Sequence, residues 1–127
     1  MTKIQHSSKD SITSGPYSPA IEIDNFVFIS GQGTYDPKTG QKYLGDISRQ
    51  TQLAMENLKR IIESCGLNMN NVIKATIFCT EDRYMNPIFK VIRGYFSKDH
   101  YPALTTVVMD SLPGGMGIEI EAIVAKS

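Results

Sequence analysis

The tail of the chain alternates apolar and acidic side chains over one stretch, Ile118-Glu119-Ile120-Glu121-Ala122-Ile123-Val124-Ala125. A period of two is typical of a β-strand, and it directs Glu119 and Glu121 to the same face, about 7 Å apart. Ile123 and Ala125 follow on that face, which is therefore half charged and half apolar. The stretch predicts a strand, and two acids in so strand-like a segment need an explanation.

A second β-rich run precedes this tail at residues 101–109. The segment between the two runs, residues 110–117, is dense in Asp, Ser, Pro and Gly. Two such runs around such a segment predict a pair of strands joined by a connection longer than a tight hairpin.

The first forty residues contain short elements separated by turn-forming residues. Residues 15–19 place two prolines around Tyr17, which stiffens the backbone on both sides. A Gly beside a Ser at Ser30-Gly31 predicts a bulge or a close approach to another surface. The predicted elements are a short strand at residues 3–5, a polar loop between it and Gly15, a hairpin of two strands at residues 20–23 and 26–31, and a turn at residues 35–40.

Apolar residues recur at steps of three and four in two later segments, which predicts two amphipathic helices. Asp46 is placed to cap the first helix, and Gly66 is placed to end it. The second covers residues 85–96, with Pro87 in its first turn. With a strand at 72–79, the order is β-β-β-α-β-α-β-β. Two helices cannot cover both sides of such a sheet, so we predict an α+β fold with both helices on one face. The other face must meet water or another subunit, and its apolar content favours a partner.

The composition limits the class of protein. A chain of 127 residues fits one domain, which we expect to span residues 1–127. Thirteen basic residues balance thirteen acidic ones, which argues against nucleic-acid binding as the main task. No run approaches the roughly 18 apolar residues of a membrane span, and two cysteines are too few for a disulfide framework. We expect a soluble, cytoplasmic protein.

Five motifs in order and spacing resemble the RidA family, also called YjgF or L-PSP endoribonuclease-like proteins: Gly15-Pro16-Tyr17-Ser18-Pro19-Ala20, Phe28-Ile29-Ser30-Gly31-Gln32, Glu56-Asn57-Leu58, Val72-Ile73-Lys74-Ala75-Thr76 and Glu119-Ile120-Glu121-Ala122-Ile123. The resemblance implies a chorismate-mutase-like subunit in a homotrimer, with clefts for small-molecule ligands between subunits. It also implies hydrolysis of reactive enamines or imines, such as 2-aminoacrylate, to keto acids and ammonia. It implies no metal and no organic cofactor.

The resemblance also assigns site residues. Glu119 corresponds to the family's acid and is the candidate catalytic residue, positioning a water molecule for attack on an imine carbon, while Glu121 is expected to be structural. The family's carboxylate-binding Arg is replaced by Leu104, and an Asn of the second helix is replaced by Phe89. The candidate ligand-binding residues are Tyr17, Ser30, Gly31, Phe89, Leu104 and Thr106.

The loss of the Arg changes the expected ligand. Leu104 offers no hydrogen-bond donor, so a carboxylate beside it and Glu119 would be desolvated next to another negative charge. We therefore expect a neutral or more apolar ligand, or no activity on 2-imino acids, unless another cation reaches the cleft. A noncatalytic metabolite-binding or regulatory trimer is the main alternative, and an endoribonuclease or translation inhibitor is the weakest. Each residue also has a plain interpretation: Glu119 as a solvated strand residue, and Ser30 as a partner of the bulge.

Overall fold

The computed structural model of the protein describes residues 2–6 and 15–127. Met1 and residues 7–14, which make up most of the predicted polar loop, lie outside the described residues. Six strands and two α-helices follow one another in the predicted order. They are β1 (Ile4–His6), β2 (Ala20–Ile23), β3 (Phe26–Gln32), α1 (Ile47–Ser64), β4 (Val72–Cys79), α2 (Met85–Arg93), β5 (Ala103–Val108) and β6 (Ile118–Ala125).

The ends of α1 follow the predicted chemistry. The Asp46 carboxylate accepts a hydrogen bond from the Arg49 backbone N–H at 3.1 Å, which satisfies one of the unpaired donors of the first turn. Gly66 has φ +79°, a left-handed conformation that glycine adopts without steric cost just after a helix.

α2 ends earlier than predicted, at Arg93, with Gly94 as its C-cap. Its apolar stripe nevertheless continues through Phe96, which is buried in the core beyond the helix.

The strands form one mixed sheet in the order β1-β2-β3-β6-β4-β5. All neighbours are antiparallel except β4 and β5, which are parallel and are connected through α2. The prediction that the two tail strands pair with each other is wrong, because β4 lies between them. A parallel strand needs a helical crossover, and the long connection after β5 lets the chain return on the other side of β4.

One face of the sheet holds the core and both helices, as predicted. In β6 the even-numbered residues Ile118, Ile120 and Val124 are fully buried, and they pack in one cluster with the inner faces of α1 and α2. The odd-numbered residues of β6, which include Glu119, lie on the opposite face. The alternation in the tail therefore separates a packed core face from an uncovered one.

The uncovered side, which we call the open face, carries several apolar side chains. Phe26, Phe28 and Val107 expose 40%, 44% and 38% of their surface. Register places Phe28 beside Ile123, and Val107 and Glu119 on either side of Phe78. Coverage of this face by another subunit stays a prediction. In the described part of the chain, neither helix combines the length and the apolar character that crossing a membrane requires.

Candidate functional site

A bulge in β3 marks the centre of the candidate site. Ile29 pairs with Ala122, and Gln32 pairs with Ile120. Two residues of β3, Ser30 and Gly31, therefore stand opposite a single residue of β6, Glu121. Such an extra residue bends the strand and redirects nearby side chains. The predicted bulge is confirmed.

Gly31 and Glu119 are in close contact across the bulge. A Cβ atom added to Gly31 would lie 2.8 Å from Cδ and 3.0 Å from Oε1 of Glu119. The missing side chain of Gly31 thus leaves the space that the Glu119 carboxyl group occupies. The close approach expected at this glycine is therefore confirmed, and the surface that approaches it is the candidate catalytic acid.

The carboxyl group of Glu119 is in an environment that disfavours its charged form. Burial raises its pKa above the usual value, and the negative charge of Glu121 raises it further. Neither cause is a hydrogen bond, so within residues 2–6 and 15–127 no donor offsets the cost of desolvation. A carboxyl group with a raised pKa can both accept and return a proton nearer to neutral pH than an ordinary glutamate.

The loop that carries Tyr17 is fastened to the same bulge. The Ser30 hydroxyl donates to the Ser18 carbonyl at 2.6 Å, and the Ser30 N–H donates to the Pro19 carbonyl at 3.0 Å. These bonds favour the interpretation of Ser30 as a partner that holds the loop on β3. Tyr17, with 51% of its surface exposed, extends from this loop over the edge of the site.

Four predicted site residues line one open cleft of about 740 Å³: Tyr17, Ser30, Gly31 and Glu119. The cleft also contains Tyr35, Lys42 and Phe78, which the sequence did not single out. Phe78 is the β4 residue opposite Glu119 in an antiparallel pair, and it was missed because the sequence did not indicate that β4 and β6 are neighbours. Tyr35 and Lys42 come from a turn, and nothing in the sequence indicates which surface that turn approaches.

The other predicted residues lie elsewhere. Phe89 and Leu104 line a smaller apolar hollow of about 230 Å³ between α2 and β5. Leu104 pairs with Ala75 and Thr106 pairs with Ile77, so both lie on the helix side of β5, whereas Glu119 is on the open face. One copy of the chain therefore brings Tyr17, Ser30, Gly31 and Glu119 together but not Phe89, Leu104 and Thr106.

Two buried amides of α1 support the cleft, and sequence reasoning missed their role. Asn57 Nδ2 donates to the carbonyl of Gly33 at 2.9 Å and to that of Tyr35 at 3.0 Å. Gln50 Oε1 accepts from the N–H of Gly117 at 2.8 Å, just before β6 begins. A polar residue inside an otherwise apolar helix face was the available signal, since buried amides are normally hydrogen-bonded.

The acids of the cleft do not form a metal centre. Over residues 2–6 and 15–127, no three His, Cys, Asp or Glu side chains converge to hold a metal ion. Both cysteines are free thiols, Cys65 partly buried and Cys79 buried. The polar groups that the described cleft offers to a ligand include two carboxyl groups, one ammonium, the Gln32 amide and hydroxyls.

Comparison with known proteins settles the family. Residues 8–126 match the family model described as Endoribonuclease L-PSP. The chain belongs to this family. The resemblance to RidA and YjgF proteins is thereby confirmed, and so is the predicted fold, since solved structures of the family superpose on nearly the whole chain.

Three members of the L-PSP family illustrate the similarity. A RutC family protein of Pyrococcus horikoshii is 43% identical over 112 residues, covering 88% of each chain. The human 2-iminobutanoate/2-iminopropanoate deaminase is 34% identical over 109 residues, covering 86% of this chain and 79% of its own. The crystal structure of E. coli TdcF with bound serine matches with a TM-score of 0.91 and 31% identity, covering 98% of this chain and 99% of TdcF.

Proposed function

We propose that the chain is an enamine or imine deaminase whose chemistry takes place beside Glu119. The observation that carries this proposal is the half-buried Glu119 carboxyl group in an open cleft, with a raised pKa and no compensating hydrogen bond from the described part of the chain. The human relative is named for the hydrolysis of imines, which supports the same reaction class.

The proposed reaction needs one water molecule and one group that moves protons. Glu119 takes a proton from water while the water oxygen bonds to the imine carbon and the electron pair of the C=N bond goes to a protonated nitrogen. The carboxylic acid then returns its proton to the amine nitrogen, and the C–N bond breaks. The hydroxyl proton passes to the Glu119 carboxylate as the carbonyl forms, and from there to solvent. Overall, imine and water give a carbonyl compound and ammonia. An enamine enters after protonation at carbon.

The complete cleft is proposed to contain residues of two copies in a homotrimer. β5 is at the edge of the sheet, and 40% of the Leu104 surface is exposed there. The hollow of Phe89 and Leu104 in one copy is thus accessible to the Glu119 cleft of another. The apolar open face supports an assembly of this kind, because exposed apolar patches usually mark interfaces.

Substitution of Glu119 tests the reaction. Glu119→Gln keeps the size of the side chain and removes its ability to exchange a proton, so ammonia release from enzymatically generated 2-aminoacrylate should fall by about 100-fold or more. Glu63→Gln, on the exposed surface of α1, is the matched control and should retain wild-type turnover. Equal turnover by the Glu119→Gln variant and the wild type would rule out the proposed role.

A noncatalytic metabolite-binding protein is the second candidate. The hollow that contains Phe89 and Leu104 is lined mainly by apolar and aromatic side chains together with Arg93, and Leu104 stands where the family resemblance places an Arg. This candidate predicts binding of a small molecule without any ammonia release above the uncatalysed rate. RNA cleavage, which the family description names, is the weaker third candidate for a chain of zero formal net charge. It would require salt-sensitive RNA binding.

A further inference from the structure

The cleft of Glu119 contains a cation that no part of the proposed reaction uses. Lys42 lies in the turn after β3, where it forms an isolated antiparallel bridge with Tyr35. Its ammonium group is 5.3 Å from the centroid of the Tyr35 ring, a distance at which the ring face attracts a cation. The bridge and the ring together hold the ammonium group at the wall of the cleft.

A glycine on the opposite loop leaves room for this ammonium group. Gly114 has φ +68°, in the short 3-10 turn Pro113–Gly115 that precedes β6. A Cβ atom added to Gly114 would overlap the end of the Lys42 side chain. Lys42 therefore lies between Tyr35 and the Gly114 turn, in a position that depends on the absence of a side chain at residue 114.

The donors of Lys42 are not engaged by the rest of the described chain. Within residues 2–6 and 15–127 the ion pairs involve Glu22, Glu81 and their partners, and Lys42 takes part in none of them. Its ammonium group has three N–H donors and only the Tyr35 ring as a described partner. An ammonium group held in a cleft with its donors available is suited to bind an anion.

We propose that Lys42 is the carboxylate-binding residue of this cleft, and that the ligand is a small carboxylate with its imine or carbonyl carbon directed toward Glu119. The orientation of the imine or carbonyl carbon toward Glu119 rests on the proposed function. The carboxylate part rests on the cleft itself, which has an ammonium group in one part of its wall and carboxyl groups in another. A ligand that carries an anionic group and a polar, proton-accepting group fits both.

Lys42 changes the expectation that Leu104 created. That expectation was a neutral ligand unless another cation reached the cleft, and Lys42 is such a cation, contributed by a different segment of the chain. A lysine ammonium is a point charge, whereas an arginine offers two parallel donors to a carboxylate. The carboxylate is thus held with less directional restraint, which favours a range of small carboxylates over a single one.

The test measures binding of 2-oxobutanoate, a stable carbonyl analogue of an imino acid, by NMR titration. Lys42→Met should weaken binding by about tenfold, the effect expected when one hydrogen bond to a charged group is lost. Lys38→Met is the matched control, because Lys38 is an exposed lysine of the same turn, and it should bind as the wild type does. Lys42→Arg should restore most of the affinity. Butanone, which lacks the carboxylate, should show no difference among the variants.

Two results would overturn the proposal: equal 2-oxobutanoate affinity in Lys42→Met and the wild type, or no binding by the wild type. Thermal unfolding of each variant shows whether the fold is intact, and Lys42→Arg covers the case in which the Met variant fails to fold. Failure of the proposed function can be distinguished from failure of the role proposed for Lys42. Binding that depends on Lys42 without ammonia release from 2-aminoacrylate contradicts the deaminase alone, whereas ammonia release that is unchanged in Lys42→Met contradicts the role of Lys42 alone.

Discussion

Gly31 and Glu119 share one small space at the bulge of β3, and this pair determines where the acid of the cleft is held. The atoms that a Cβ at Gly31 would meet are the end of the Glu119 side chain, which is flexible. A methyl group at residue 31 would therefore displace the carboxyl group without disturbing the backbone. A substitution at Gly31 can therefore move the Glu119 carboxyl group without changing the stability of the fold.

Gly31→Ala is accordingly expected to lower turnover by about ten- to a hundredfold, because a shift of about 1 Å in a reacting group has effects of this size. The free energy of unfolding should change little. Gly94→Ala is the control: its Cβ would lie 3.4 Å from the Val91 carbonyl oxygen, an ordinary contact far from the cleft. Steady-state ammonia release and urea unfolding measure the two quantities. Full activity in Gly31→Ala would show that the carboxyl position does not matter.

In this region the sequence predicted where individual residues lie better than it predicted which residues they contact. Alternation in the tail correctly placed Glu119 and Glu121 on one face, and the Ser30-Gly31 pair correctly indicated a bulge. Lys42 was missed because its approach to Gly114 joins two loops more than seventy positions apart in the chain. Local periodicity carries no information about such a contact.

At the scale of elements, α1 positions both loops that border the cleft. Asn57 holds the segment after β3 through two carbonyl groups, and Gln50 holds the start of β6. Only 7% of the Asn57 surface is exposed, so these bonds are made largely out of contact with water. The helix therefore supports the site as well as the core.

Asn57→Ala should lower the free energy of unfolding by about 1–3 kcal/mol, because the carbonyl groups of Gly33 and Tyr35 would lose their buried donor. It should also weaken 2-oxobutanoate binding, since Tyr35 supports Lys42. Asn86→Ala, at an exposed position of α2, provides the control. Urea unfolding and the NMR titration give both numbers. A loss no larger than that of Asn86→Ala would mean that the amide does not support the loop.

Element order was predictable from the sequence, but strand order was not. Capping residues and helical periodicity correctly placed α1 between Asp46 and Gly66. The sequence suggested that β5 and β6 pair because they are consecutive, yet β6 occupies the position between β3 and β4. A run of apolar residues indicates that a strand is buried, but it does not indicate which strands lie beside it in the sheet. The same limit explains why Leu104 and Glu119 could not be assigned to opposite faces.

At the scale of the whole molecule, one copy of the chain does not bring the two groups of candidate residues together. Leu104 and Phe89 lie on the helix side of the sheet near its β5 edge, whereas Glu119 lies in the open cleft on the other side. A cyclic trimer joins unlike surfaces of neighbouring copies, so each cleft would combine one half from each of two copies. The proposed deaminase activity would then belong to the interface.

Mixed assemblies test this account most directly, by ammonia release from 2-aminoacrylate. Glu119→Gln inactivates one half of the proposed cleft, and Leu104→Glu places a repelling charge in the other half, so each variant alone should be nearly inactive. After the two are unfolded together and refolded at equal amounts, about a quarter of the wild-type activity should return, because random assembly joins two intact halves at one interface in four. Activity no higher than that of the separate variants would contradict a cleft shared between two copies.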